Sequence, residues 1–236
     1  MEQLNGINVI DLSKKDKVKL PENELIFNGR TLHFRKWKVK DKFELDKAKT
    51  LPEIRKALVY NCLDEHCILD LDEYNYVLFK IRNASVHEPF TYEYECPYCG
   101  NVKQIETYLD DVIGFSGGNV KELETLNIKL KYIDNEDLYE TLVVENPDMY
   151  QQFINDFALH IKSYNDTEIK NQKDVEVFIE YLSNLDVDVA EKLFKEWNDK
   201  RFKFVIEADV ICENCGESEI CDFANLPEFF PKSWRK

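Results

Sequence analysis

The sequence predicts an α+β fold laid out as two pattern-related halves, and three observations carry that expectation. Two cysteine hooks, Cys96-Pro97-Tyr98-Cys99-Gly100 and Cys212-Glu213-Asn214-Cys215-Gly216, each end a run that alternates apolar and polar residues as a β-strand does. Segments of helical periodicity precede each hook. Ser116-Gly117-Gly118-Asn119 interrupts the chain between them, as glycine pairs do where regular structure stops.

The elements follow in order. Residues 1–23 read as a polar amino-terminal arm in which 7–12 could form a short strand or a partner-binding segment. Leu25-Ile26-Phe27, Asn28-Gly29 and the run 31–37 read as a hairpin, because Asn-Gly supplies the two positive-φ positions of a tight turn. Residues 40–49 make a short helix. A second helix starts at Pro52, with Ile54, Ala57, Leu58, Asn61 and Cys62 on one stripe. A third spans 72–84 and buries Tyr74, Val77, Leu78 and Ile81. Phe90, Tyr92, Tyr94 and Cys96 then share one strand face, and 101–109 returns from the hook.

These segments form the first half, residues 24–115. A linker at 116–120 leads to the second half, 121–230. There 126–133 reads as a strand, and helices are expected at 147–163, 174–185 and 188–200. Phe202, Phe204, Ile206, Ala208, Val210 and Cys212 hold one face of a long strand. The closing runs 109–115 and 226–230 resemble each other. The likeness of the halves is one of order, not identity, so duplication and chance recurrence of an α+β plan both stand. Residues 231–236 form a basic aromatic tail that either packs locally or anchors in a neighbouring subunit.

Composition narrows the function. Among 236 residues, 44% are hydrophobic and 15 Phe, 12 Tyr and 3 Trp supply a core. A formal net charge of −15 repels phosphate backbones and disfavours broad nucleic-acid binding. Between Arg30 and Lys42 the balance reverses: Arg30, Arg35, Lys36, Lys38, Lys40 and Lys42 face Asp41 alone. That strip reads as a solvated edge or as a docking strip for an acidic partner. The start has no signal-peptide pattern and no run reaches about 18 apolar residues, so neither secretion nor membrane insertion is expected. An odd count of seven cysteines, four of them in Cys-x-x-Cys pairs, fits a reducing cytosol and metal ligation better than disulfides.

Two thiolate pairs on hairpin tips can complete one tetrahedral zinc site, so Cys96, Cys99, Cys212 and Cys215 are the expected ligands of a zinc-ribbon-like structural centre. Gly100 and Gly216 suit turns whose backbone N–H groups point at the thiolates. A redox pair would want a helix directly after the motif. An iron–sulfur cluster accepts the same ligands, and two empty hooks would remain if the halves did not meet. Four protein ligands leave no open position, so the metal would be structural. Cys62 reads as a core thiol, Cys67 beside His66 lacks a second ligand, and Cys221 is a spare neighbour of the site. The histidines (His33, His66, His87, His160) are scattered, and no phosphate loop, metalloprotease motif or nucleophile elbow occurs, so no enzyme is expected.

Several stretches point to a family: Gly29-Arg30-Thr31-Leu32-His33-Phe34-Arg35-Lys36-Trp37, then Asn61-Cys62-Leu63. Next are the run from Leu69-Asp70-Leu71-Asp72 through Asn83-Ala84-Ser85-Val86, the two hooks, and Phe229-Phe230. With them the order of elements resembles the baseplate hub and hub-assembly proteins of T-even-type contractile-tailed bacteriophages. The likeness runs from about residue 24 to 230, is best over 69–100, and departs where the second hook lacks the proline of the first. It implies a structural component or assembly factor that binds other hub, tail spike and tape-measure proteins in a symmetric multi-protein assembly. Such a protein would act in the virion tail baseplate, after assembly in the host cytoplasm. Exposed hairpin edges could pair with a partner strand, and residues 4–12 could donate one. The rival reading is a zinc-ribbon nucleic-acid binder. It would need a basic, aromatic-studded surface near the hooks, where Glu93, Glu95, Glu106, Asp110, Asp111, Glu213, Glu217, Glu219 and Asp222 stand instead.

Overall fold

A computed structural model describes residues 23–86, 88–144 and 148–222. Strands β1 (Asn23–Phe27) and β2 (Arg30–Phe34) form the expected hairpin, with Asn28 at φ 46° and Gly29 at φ 72° in the turn. Helix α1 (Val39–Lys47) follows. Helix α2 (Leu51–Leu58) starts at a capping box: the Thr50 hydroxyl accepts from the Glu53 N–H and the Glu53 carboxylate accepts from the Thr50 N–H. It ends earlier than its stripe suggested, and Asn61 and Cys62 lie in a separate 3₁₀ turn. Helix α3 (Leu71–Ser85) is capped by Asp70 and Glu73 in the same way, and it buries Tyr74, Val77 and Ile81 as expected; Leu78 is half-buried.

The first hook joins β3 (Phe90–Glu95) to β4 (Val102–Thr107); a short helix α4 (Leu109–Val112) then turns the chain into β5 (Ile113–Ser116). A small antiparallel sheet comes next, in the order β6 (Glu122–Leu123), β7 (Ile128–Leu130), β8 (Ile161–Tyr164), β9 (Thr167–Glu168). Around it lie α5 (Glu136–Tyr139), a π-turn at Glu140–Val144, α6 (Met149–Leu159), α7 (Gln172–Ser183) and α8 (Val187–Lys200). Strands β10 (Lys203–Ile211) and β11 (Ser218–Asp222) carry the second hook.

Two expectations change here. The strand expected at 126–133 shortens to β7, because Leu126 and Asn127 take left-handed backbone (φ 63° and 47°) in the preceding turn. The helix expected to reach 163 stops at Leu159, and 161–164 is β8. The missed signal is Asn165-Asp166, which adopts φ 42° and 63° and reverses the chain into β9 as Asn-Gly does at the first hairpin. Residues 1–22 of the arm, His87, Pro147, the closing run 226–230 and the tail 231–236 lie outside the described residues.

Among the described residues, three apolar clusters hold the body together. Leu25, Phe27, Leu32, Phe34, Val59, Leu69 and Ile81 centre the first, which also takes in Phe202 from beyond α8. Ile128, Phe157, Ile161, Phe178, Leu193 and Trp197 centre the second, which takes in Ile68. The third lies under the hooks. Strand β10 ties the first to the third, because Phe204 packs against both, and it pairs with β11 and with β5, Ile206 facing Ile113 and Lys203 facing Ser116.

Polar groups are threaded between the first two clusters. Arg30 donates to both oxygens of the buried Glu73 at 2.8 Å, lies 4.0 Å from the centre of the Tyr132 ring, and shares Glu73 with the Asn28 amide. Arg55 reaches Tyr139 and Glu140, while Arg201 and the Phe204 N–H engage Asp72. Deleting one member of such a buried pair leaves the other uncompensated, at about 3–5 kcal/mol.

The Gly-Gly break is a close approach of two backbones. Gly117 has φ +68°, and a Cβ there would stand 1.9 Å from the Arg201 carbonyl oxygen, whereas one on Gly118 would meet none of the described residues within 4 Å. Gly117→Ala should therefore lower unfolding free energy by about 2 kcal/mol or more, and Gly118→Ala by well under half of that, as measured by denaturant titration.

Asp156 gives a pH prediction. Burial, and then repulsion from Asp70, push its pKa up to about 8; its Oδ1 has no hydrogen-bond partner among the described residues and lies 4.0 Å from His160 Nε2. The folded state thus binds a proton that the unfolded chain releases in the ordinary carboxylate range near 4. Its stabilisation is complete below that range and disappears as pH rises through 8. Between about pH 6 and 9 the wild-type protein should lose more thermal stability than Asp156→Asn, whose side chain stays neutral.

Candidate metal centre

Both hooks are built by one backbone pattern. Cys96 N–H donates to the Asn101 carbonyl (2.9 Å) and Gly100 N–H to the Cys96 carbonyl (2.8 Å). In the second hook Cys212 N–H donates to Glu217 and Gly216 N–H to Cys212, both at 2.8 Å. Gly100 and Gly216 sit at φ +69° and +78°, and a Cβ at either would meet none of the described residues within 4 Å, so the backbone conformation and not crowding asks for glycine. Glu213 replaces Pro97 without altering this pattern.

The long strand brings the hooks together. All four expected sulfurs, on Cys96, Cys99, Cys212 and Cys215, lie within 4.8 Å of one another. Two cross-hook pairs, Cys96 with Cys215 and Cys99 with Cys212, have Sγ atoms 3.7 Å apart. Four thiolates at about 2.3 Å from one cation would have tetrahedral edges of about 3.8 Å, so these residues could hold a metal ion. Cys96 and Cys212 are buried on the protein side, and Cys99 and Cys215 are exposed. The Asn214 amide points at Cys99 Sγ (3.4 Å), and a Lys103–Glu213 ion pair joins the hooks. Below lie Phe90, Tyr94, Leu109, Val112 and Ile113.

The electrostatics favour partial ionisation. Burial resists charge on Cys96, yet the N–H groups of Tyr98 and Cys99 override it and bring the thiol down to about 6. The Asn214 amide, then the Asn101 N–H, lower Cys99. At Cys215 the Glu217 N–H favours the thiolate, but burial and the neighbouring sulfurs prevail and hold the thiol up at about 12. Four negative sulfurs this close repel one another, and a cation relieves that repulsion.

The other cysteines stay apart from this group. Cys62 is in the first core, where burial lifts it to about 12. Cys67 is half-buried and raised by burial. Cys221 packs in the cluster beneath the hooks, opposite Ala208. His66 is exposed, 3.9 Å from Glu136, and His33 pairs with Glu65. No other group of candidate metal ligands occurs among the described residues. Sequence reasoning overlooked Asn214 as a partner of Cys99; its place inside the second hook was the available signal.

A family model described as T4 bacteriophage base plate protein matches residues 13–231. No curated protein and no solved structure matches the chain.

Because Cys215 keeps its proton at neutral pH, loading a thiophilic divalent cation into metal-free protein near pH 7.5 should release at least about one proton per ion. A pH-indicator dye in weak buffer reads this directly, and Cys215→Ser should reduce the release.

Proposed function

This chain belongs to the T4 bacteriophage base plate protein family, and on that premise we propose that it is a component or assembly factor of the baseplate hub. It works by binding other tail proteins in a symmetric assembly, among them hub, tail spike and tape-measure proteins, and its place is the virion tail baseplate. The single observation that carries this reading is the family match from residue 13 to 231, which includes both hooks.

The metal in this reading is zinc. A four-thiolate set with sulfur spacings near a tetrahedral edge suits it, and a site closed by four protein ligands serves structure rather than catalysis. The residues at 24–115 and 121–230 act as two related halves that the sheet β11-β10-β5 and the zinc clamp together. The arm 1–23 and the tail 231–236 supply contacts to partners. A nucleic-acid role is disfavoured by Glu93, Glu95, Glu106, Glu213 and Glu217, all exposed around the hooks, since these would repel a phosphate backbone.

Coexpression with the hub and tape-measure proteins should yield a stable complex in at least one pairing; failure in every pairing would remove the hub assignment. Elemental analysis of the purified protein should find about one zinc per chain and no iron. Cys96→Ser or Cys212→Ser should abolish the metal and lower the melting temperature, because a structural site contributes its binding energy to folding.

A further inference from the structure

Charge is segregated on this molecule. Residues 30–56 carry ten Lys or Arg against four Asp or Glu, a net of +6 in a chain of net −15. The carboxylates within that stretch are already engaged. Asp41 is buried and held by both Nη atoms of Arg35, Asp46 pairs with Lys42, Glu44 accepts from the Asn61 amide, and Glu53 caps α2. Lys36, Lys38, Lys40 and Lys47 are exposed and make no ion pair among the described residues. Helix α1 turns Asp41 and Leu45 inward and presents Val39 and Phe43, one turn apart, to solvent at 69% and 59% exposure.

The outer face of β10–β11 has the opposite character. Residues 203–222 hold six Asp or Glu against one Lys. The register places Asp209 opposite Ile220 and Ile211 opposite Ser218, so Glu207, Asp209, Ile211 and Ile220 share one face. Ile211 and Ile220 are 64% and 68% exposed, and Glu207 and Asp209 are exposed beside them. Each face therefore offers two apolar side chains flanked by charge, of opposite sign on the two faces.

We propose that a second copy of this chain docks its acidic β10–β11 face on the basic α1 face of the first. Phe43 and Val39 then meet Ile211 and Ile220, and Lys36, Lys40 and Lys47 meet Glu207 and Asp209. The two surfaces differ, so the contact is heterologous: each copy keeps one free face of each kind, and the assembly grows head to tail into a ring or an open chain. The overall negative charge opposes association only over distances that salt screens, about 8 Å at physiological ionic strength, whereas the complementary charges act in contact. This inference is independent of the hub assignment, which concerns other proteins.

Sedimentation velocity of the full chain tests it. Oligomers should form at about 50 mM salt and their association constant should fall at least about tenfold by 0.5 M. The pair Lys36→Glu/Lys40→Glu should leave monomers, as should Glu207→Lys/Asp209→Lys. Mixing the two variants should restore association, because the first keeps its acidic face and the second its basic face, and the two reversed faces are also complementary. All four side chains are exposed, and unchanged circular dichroism of both variants verifies the fold. A wild-type protein that is monomeric throughout, oligomers insensitive to salt or to both reversals, or a basic face that captures duplex DNA or anionic vesicles without self-association would each overturn the proposal.

Discussion

The antiparallel pairing of β10 with β5 is the constraint on which the rest of the molecule depends. It joins residues 203–206 to 113–116, and with that register set, the strand carries Cys212 to the level of Cys96. Neither hook can assemble four sulfurs alone. The short helix α4 matters for the same reason, because it turns the chain from the first hairpin into β5 and buries Leu109 and Val112 under the site. Metal ligation, if it supplied the closing energy by itself, would have to order both hairpins. Here the sheet and its apolar floor pre-arrange them, and less conformational entropy would be left for a cation to overcome.

The same strand explains why charged groups line the joint between the two larger cores. Where α3 meets the start of β10, Asp72 accepts from Arg201 and from the Phe204 N–H, so one carboxylate fixes both the side chain and the backbone of the incoming strand. Glu73, one residue further along α3, is held by Arg30 and Asn28 of the first hairpin. Such groups add little net stability compared with apolar substitutes, but they tolerate few alternative arrangements once buried. In a body made of three small clusters, that selectivity sets how the clusters sit against one another.

For a baseplate protein, the surface carries as much information as the interior. The four-cysteine cluster lies at one end of the β10–β11 hairpin with acidic residues around it, and the basic strip surrounds α1. A chain with segregated charge and exposed apolar side chains inside each charged region is suited to directional contacts, since charge sets orientation and the apolar side chains supply contact area.

Local chemistry was legible from the residues alone. Asn28-Gly29 forced a turn, Pro52 marked a helix start, the stripe Tyr74, Val77, Ile81 marked a buried helical face, and the alternation from Phe202 to Cys212 marked a long strand. The two cysteine turns were legible too, because each pairs a Cys-x-x-Cys with a glycine at the end of an alternating run; that their four sulfurs meet was not. Residues 161–164 were not, since four residues after a helix keep either period and the deciding fact, pairing of Ile161 with Leu130, is non-local. The role of Gly117 was hidden for the same reason: only the approach of Arg201 makes its missing Cβ necessary. Sequence determined the elements through nearest-neighbour sterics and periodicity. The pairing of β10 with β5, the ion pairs across the joint and the sulfur cluster depended on contacts between residues far apart in the chain, which tertiary packing alone selects.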